Sequence, residues 1–238
     1  HEQCNGFVCI GTLYGKTRVK RGAGTNVKFW PRIFGTKNTL AMVKEFEGKD
    51  YWALNLGGSS GLGFASAKKL ATHGMNIIIV HRDRRDDLPE IKDSFEEIKK
   101  LGVKLHSFNV DATRREKREE MAEEIKSILG EKGKIRTLLH SISKGNLKSM
   151  LGEEPTLKND DFQQTLDAMA ISLYDWTKLI YNAKLFAKDA RVLSFTSEGN
   201  TKAWKDYDAV SAAKVALEAI TRSIALEFAP EGIRANCI

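Results

Sequence analysis

Leu56-Gly57-Gly58-Ser59-Ser60-Gly61-Leu62-Gly63 is a glycine-rich turn set between a short apolar run, Tyr51–Leu56, and a stretch with helical spacing, Leu62–Thr72. Glycines at such a junction permit a tight turn and let backbone N–H groups approach an anion at the helix N-terminus. Taken alone they predict no more than a turn. At the first strand–helix junction of a β-α-β unit they predict a pyrophosphate site formed by Gly57, Ser59, Gly61, Leu62 and Gly63.

Outward from this turn the chain alternates. Asn76–Val80 is a continuous apolar run suited to a strand covered on both faces, and Gly74 closes the preceding helix. Leu88–Leu101 places Ile91, Phe95 and Ile98 on one helical stripe, with Asp87 as its N-cap and Gly102 as its end. Val103–Val110 reads as a strand, Arg114–Leu129 as a charged helix and Ile135–Ile142 as a strand. Asp161–Phe186 reads as one long helix, followed by strand Ala190–Thr196, helix Tyr207–Phe228 and strand Ile233–Ile238. Strict alternation predicts parallel strands joined by right-handed crossovers, a doubly wound α/β sheet of Rossmann type. Because the sequence stops in a strand, the expectation is a C-terminally incomplete domain over 42–238.

Composition narrows the class. Of 238 residues, 42% are hydrophobic and 29% charged, as in an ordinary globular protein. No run approaches the ~18 apolar residues of a membrane span. Cys4, Cys9 and Cys237 form an odd set without a CxxC, which fits a reducing compartment and a cytoplasmic location. The net charge of +7 suggests an acidic partner, but residues 1–41 hold seven basic residues and one acid, so the remainder is nearly neutral. No nucleic-acid or membrane partner is therefore expected for the domain. Met42 reads as the natural start and 1–41 as upstream or extraneous sequence. A transit peptide, which would lack the usual Ser, and a nucleic-acid arm around Phe29 and Trp30 are the competing readings.

Two further patterns carry chemistry. His81-Arg82-Asp83-Arg84-Arg85 follows the second strand, where an arginine can pair with the 2′-phosphate of NADP and a carboxylate would instead bind the ribose diol of NAD. Arg82, assisted by Arg84 or Arg85, favours NADPH, with NADH possible. Tyr207 and Lys214 lie seven residues apart, about two turns, and so share a helix face. A cation there can support a phenol as hydrogen-bond or proton donor and can reach ribose hydroxyls.

With these motifs in place, the chain from residue 42 resembles the short-chain dehydrogenases/reductases, and within them the enoyl-[acyl-carrier-protein] reductases of fatty-acid synthesis. Ordinary members carry Tyr four residues before Lys, where this sequence has Val210; the enoyl-reductase branch carries it seven before, as Tyr207 stands to Lys214. Leu139-His140-Ser141-Ile142, Ile171-Ser172 and Ala229-Pro230-Glu231-Gly232-Ile233-Arg234-Ala235-Asn236 agree with that branch, the last being general to the superfamily. The resemblance implies NADPH-dependent reduction of an enoyl thioester carried on acyl carrier protein or CoA. Tyr207, Lys214 and Ser197 would be catalytic, and Arg82, Val110, Ser141, Ile142 and Lys214 would join the glycine turn in holding the cofactor.

Shifting the tyrosine by three positions moves it ~4.5 Å along the helix axis. That is the order of the separation between a ketone oxygen and the enolate oxygen of a thioester reduced at its β-carbon. Ser197, 17 residues before Lys214, either orients substrate or caps a turn. Leu56 replaces the usual Thr before the glycines, and Asn109-Val110 stands where Asp-Val usually flanks adenine. In the resembled family the helices 161–186 and 207–228 pack between subunits, so the resemblance implies a homodimer or homotetramer.

The alternatives are an NADP-dependent carbonyl reductase of the same superfamily, against which Val210 speaks, and a non-catalytic nucleotide-binding protein. His73, His81, His106 and His140 show no metal-ligand spacing. Glu119, Glu120, Glu123 and Glu124 read as a solvated helix face, and Met169 and Trp176 as core or helix-interface residues.

Overall fold

The structure is a computed structural model that describes residues 43–238; the basic leader, the readings attached to it, Cys4 and Cys9 lie outside the described residues. Among the described residues six strands form one wholly parallel sheet: β1 (Tyr51–Leu56), β2 (Asn76–His81), β3 (Leu105–Asn109), β4 (Lys134–His140), β5 (Phe186–Ser194) and β6 (Ile233–Cys237). Their order is β3-β2-β1-β4-β5-β6, with the chain reversing its direction of growth between β1 and β4. Ligands of such sheets bind beyond the carboxyl ends of the strands at that reversal.

Side-chain alternation builds a core on each face. Trp52, Leu54 and Leu56 of β1 and Ile78 and Val80 of β2 pack with residues of α3 (Arg115–Leu129), α5 (Ser172–Asn182) and α6 (Asp208–Glu227). Ala53, Ile77 and Ile79 meet α1 (Gly61–Thr72) and α2 (Leu88–Lys99) through Ala67, Ala71, Ile91, Phe95 and Ile98. Trp176 is fully buried, and its indole N–H donates to the Ala112 carbonyl at 2.9 Å, tying α5 to the segment after β3. Glu119, Glu120, Glu123 and Glu124 are exposed on α3, as their spacing predicts.

Three local expectations need correction. The helix expected over 161–186 is α4 (Asn159–Leu166), a π-helical turn Asp167–Ile171 and α5, which ends at Asn182. Lys184 has φ +56°, a left-handed residue that stops the helix, and Phe186 already begins β5. Apolar spacing of three to four simply continues through this turn, so periodicity alone runs the helix too far. Asp87 does not cap α2: it closes a 3₁₀ turn, Arg85–Asp87, with helical φ −84° and ψ −16°, whereas a capping residue takes an extended conformation. The third strand is shorter than 103–110 at both ends.

Candidate active site

The loops after β1, β2, β3, β4 and β5 surround an open cleft of about 600 Å³ at the carboxyl edge of the sheet. Gly57, Ser59, Gly61, Leu62, Arg82, Val110, Ser141, Ile142, Ser197, Tyr207 and Lys214 all line it. Arg84 and Arg85, the expected helpers of Arg82, do not line it, and in the glycine turn neither does Gly63. It sits one layer below, where a Cβ would lie 2.1 Å from the Gly57 carbonyl oxygen and 3.0 Å from Ser141 Oγ.

The glycine turn is built by close backbone approach. Gly57 has φ +82°, and a Cβ on it would come within 2.5 Å of the Ser141 carbonyl oxygen. The turn is thereby pressed against the loop after β4, while the Gly57 amide donates to the Val80 carbonyl at 2.8 Å. Ser60 precedes α1 in extended conformation and makes no side-chain cap, leaving the helix N–H groups free to meet a ligand. A Cβ on Gly61 would meet no atom within 4 Å, so open space adjoins this N-terminus. Asn55, buried beneath the turn, donates to the Gly63 carbonyl at 2.8 Å, and its Oδ1 has no partner. The donor set and the open space fit a dinucleotide.

At one end of the cleft, charges from three loops meet. Arg82 Nη1 donates to Asp111 Oδ2 at 2.7 Å, and Lys144 Nζ stands 3.5 Å from the same oxygen. Burial raises the Asp111 pKa, but the bonds from the Thr113 hydroxyl and amide, then Arg82 and Lys144, outweigh it and hold the carboxyl well below the usual range. Asp83 is engaged elsewhere. Its carboxylate pairs with His81 Nδ1 at 2.7 Å and its amide donates to Asn109 Oδ1 at 3.0 Å. Asn109 therefore braces the loop after β2.

At the other end Tyr207 and Lys214 enter the cleft together, Tyr207 at the start of α6 and Lys214 two turns along it. Lys214 is 7% exposed, and its ammonium donates to the Phe195 carbonyl at 2.6 Å. Burial lowers its pKa, with Cys237 acting weakly in the opposite sense. Among the described residues no carboxylate forms an ion pair with it. The Tyr207 hydroxyl lies 3.4 Å from Ser197 Oγ. Ser197 precedes a 3₁₀ turn but makes no side-chain cap, so of its two expected roles the capping one is not what its hydroxyl does.

Val210 is buried against Ala168, Met169 and Ala213 and does not line the cleft, which leaves Tyr207 as its one phenol among the described residues. Below, His140 and Ser172 are both buried. Ser172 donates to the Ala168 carbonyl at 2.8 Å, so its oxygen accepts from His140 Nε2 at 2.7 Å. Burial, and secondarily Lys214, lowers the His140 pKa to about 3.

Sequence reasoning missed Asp111, Thr113 and Lys144. Asp111 and Thr113 were readable in principle as the Asp-x-Thr that opens a helix after a strand, whereas Lys144 lies in a loop with no pattern. Met169 is buried as expected and also contributes to the cleft wall.

The sequence model of the protein family described as Enoyl-(Acyl carrier protein) reductase matches residues 57–238. An enoyl-[acyl-carrier-protein] reductase [NADPH] FabI of Staphylococcus aureus is 26% identical over 193 residues, 81% of this chain and 72% of its own. A chloroplastic tropinone reductase homolog of Arabidopsis thaliana is also 26% identical, over 86% of this chain and 61% of its own. Among solved structures, a metagenomic short-chain oxidoreductase in complex with NADP matches with a TM-score of 0.68 at 20% identity, over 79% of this chain and 81% of its own. Acetoin dehydrogenase from Enterobacter cloacae matches at 0.69 and 18% identity, over 80% and 72%. The two structural likenesses establish the fold.

Proposed function

Since the chain belongs to the short-chain dehydrogenase/reductase superfamily of oxidoreductases, in the family described as Enoyl-(Acyl carrier protein) reductase, we propose that it reduces the 2,3 double bond of an enoyl thioester with NADPH, in fatty-acid synthesis. The observation that carries this reading is the single phenol that the described residues place in the cleft. Tyr207 stands at the mouth end of α6, and the place one turn further in, Val210, is filled by buried hydrocarbon. A donor set back by a turn suits an oxyanion that develops away from the carbon being reduced.

When bound, the dihydronicotinamide would supply the hydride for the β-carbon, and a proton from solvent would complete the α-carbon of the resulting enolate. Tyr207 donates a hydrogen bond to the thioester oxygen as negative charge gathers there, and Ser197 orients the phenol. Lys214, held on the Phe195 carbonyl, binds the nicotinamide ribose and adds positive potential beside the same oxygen. Gly57, Ser59, Gly61 and Leu62 take the pyrophosphate over the N-terminus of α1, with Gly63 keeping helix and turn in contact. Arg82 takes the 2′-phosphate, Val110 flanks the adenine, and Ser141 and Ile142 support the nicotinamide half.

The same reading takes 42–238 as the catalytic domain, acyl carrier protein or CoA as the substrate carrier, and the cytoplasm as its location. It includes a homodimer or homotetramer, supported by an apolar groove of about 440 Å³ between α5 and α6, lined by Ile171, Tyr174, Ile220 and Phe228 among others.

A carbonyl reductase is the second reading, favoured by the 3.4 Å approach of Ser197 to Tyr207, a serine–tyrosine pair able to serve a ketone oxygen. NADPH oxidation with crotonyl- against acetoacetyl-thioester separates them. Consumption with the crotonyl substrate alone is expected. Turnover of the acetoacetyl substrate alone would establish the second reading, and turnover of neither would leave a nucleotide-binding protein.

A further inference from the structure

The two oxygens of Asp111 serve different partners. Oδ1 accepts from the Thr113 amide at 3.0 Å and from its hydroxyl at 2.6 Å, fixing the turn into α3. Oδ2 receives Arg82 at 2.7 Å and Lys144 at 3.5 Å. The carboxylate side chain is 19% exposed, against 60% for Arg82 and 51% for Lys144. The anion is thus the fixed member of the group, and the two cations are long arms drawn onto it from the loops after β2 and β4. All three residues line the cleft.

We propose that Asp111 is a specificity-determining residue for the dinucleotide, holding Arg82 and Lys144 in a neutralised cluster that weakens selection for a 2′-phosphate over a 2′-hydroxyl. The inference rests on the reading of the cleft as a dinucleotide site. A phosphate monoester carries nearly two negative charges at neutral pH. To pair with Arg82 it must displace the guanidinium from a carboxylate that stays beside it and repels it. A 2′-hydroxyl is neutral and meets no such opposition. Asp83 does not take this part, because its carboxylate is occupied by His81 and its backbone by Asn109.

The test is Asp111→Asn. An amide keeps an acceptor oxygen for Thr113 and replaces Oδ2 with an N–H₂ that cannot hold either cation, so the turn survives while the cluster is released. Dissociation constants for NADPH and for NADH are measured by fluorescence titration of wild type and variant. Removing one negative charge ~6 Å from a dianion in water-like surroundings is worth about tenfold in affinity. NADPH binding is expected to tighten about tenfold, NADH binding to stay within twofold, and the NADPH gain to shrink in an Arg82→Met background. Asp111→Ser is the second variant should the amide not fold, with the same expected ratio. An unchanged NADPH-to-NADH ratio, or an equal shift of both, overturns the proposal while leaving the dinucleotide reading intact. A wild-type protein that binds neither dinucleotide overturns both.

Discussion

The Glu218 carboxylate, one turn beyond Lys214 on α6, accepts a hydrogen bond from the Thr196 hydroxyl at 2.5 Å. It also accepts one from the Asn200 side-chain amide, so α6 holds the loop after β5 on both sides of Ser197. That loop carries the carbonyl that receives Lys214 and the hydroxyl that meets Tyr207. Glu218→Gln keeps the shape but loses the charge that makes such bonds about twice as strong as neutral ones. Turnover is expected to fall about five- to tenfold with a change of only a few degrees in Tm, checked by steady-state kinetics beside thermal unfolding.

Tyr207→Phe removes the one phenol that the described residues place in the cleft. Loss of an oxyanion donor of this kind costs about 10²- to 10³-fold in kcat. The dissociation constant for NADPH is expected to stay within twofold, measured by fluorescence titration. A rate equal to wild type would end the assignment. Ser197→Ala, which removes only an orienting contact, is expected to lose about tenfold.

His140 gives stability a pH dependence of definite sign. The ring has an ordinary value of 6.5 when unfolded and about 3 in the fold, because burial first and Lys214 second oppose its protonation. Between those values the unfolded chain binds the extra proton, so stability falls as pH drops below about 6.5 and is fully present above it. About 2 kcal/mol is expected to be lost between pH 8 and pH 5 through this ring. His140→Gln, which retains an N–H donor for Ser172 and cannot titrate, should lose about that much less over the same range in urea denaturation.

Gly63→Ala sets a side-chain carbon 2.1 Å from the Gly57 carbonyl oxygen, where backbone cannot yield. A loss of more than about 3 kcal/mol is expected, as for overpacking at a rigid contact. Gly102→Ala is the control. Its φ of +85° is strained for alanine, but no atom lies within 4 Å, and about 1–2 kcal/mol is expected from conformation alone. Chemical denaturation of both variants measures the difference.

The sheet was legible because its strands are short apolar runs bounded by glycines and its central strands are buried on both faces, so composition and position agree at β1, β2 and β4. Residues of the site and its support were legible where a backbone requirement writes itself into sequence, as at Gly57 on the wall and Gly63 beneath it, or where two side chains share a helix, as with Tyr207 and Lys214. The break in the 161–186 segment was not, because Leu166, Met169, Leu173 and Trp176 recur at three to four straight through it, and neither was the helical conformation of Asp87. Contacts between loops that are distant in sequence leave no local trace. Arg82 with Asp111, and Thr196 and Asn200 with Glu218, are joined only by the fold.

The π-helical turn at Asp167–Ile171 accommodates one residue more than an α-helix needs over the same rise. It therefore works as an angular offset of about 100° between α4 and α5, letting Thr165 face the loop after β4 while Ser172 meets His140. Winding the same residues as uninterrupted α-helix would swing one of those two hydroxyls out of reach, whereas excising a single residue there would leave both in place. The irregularity is thus the gearing that lets a single rod-like segment serve two differently oriented partners.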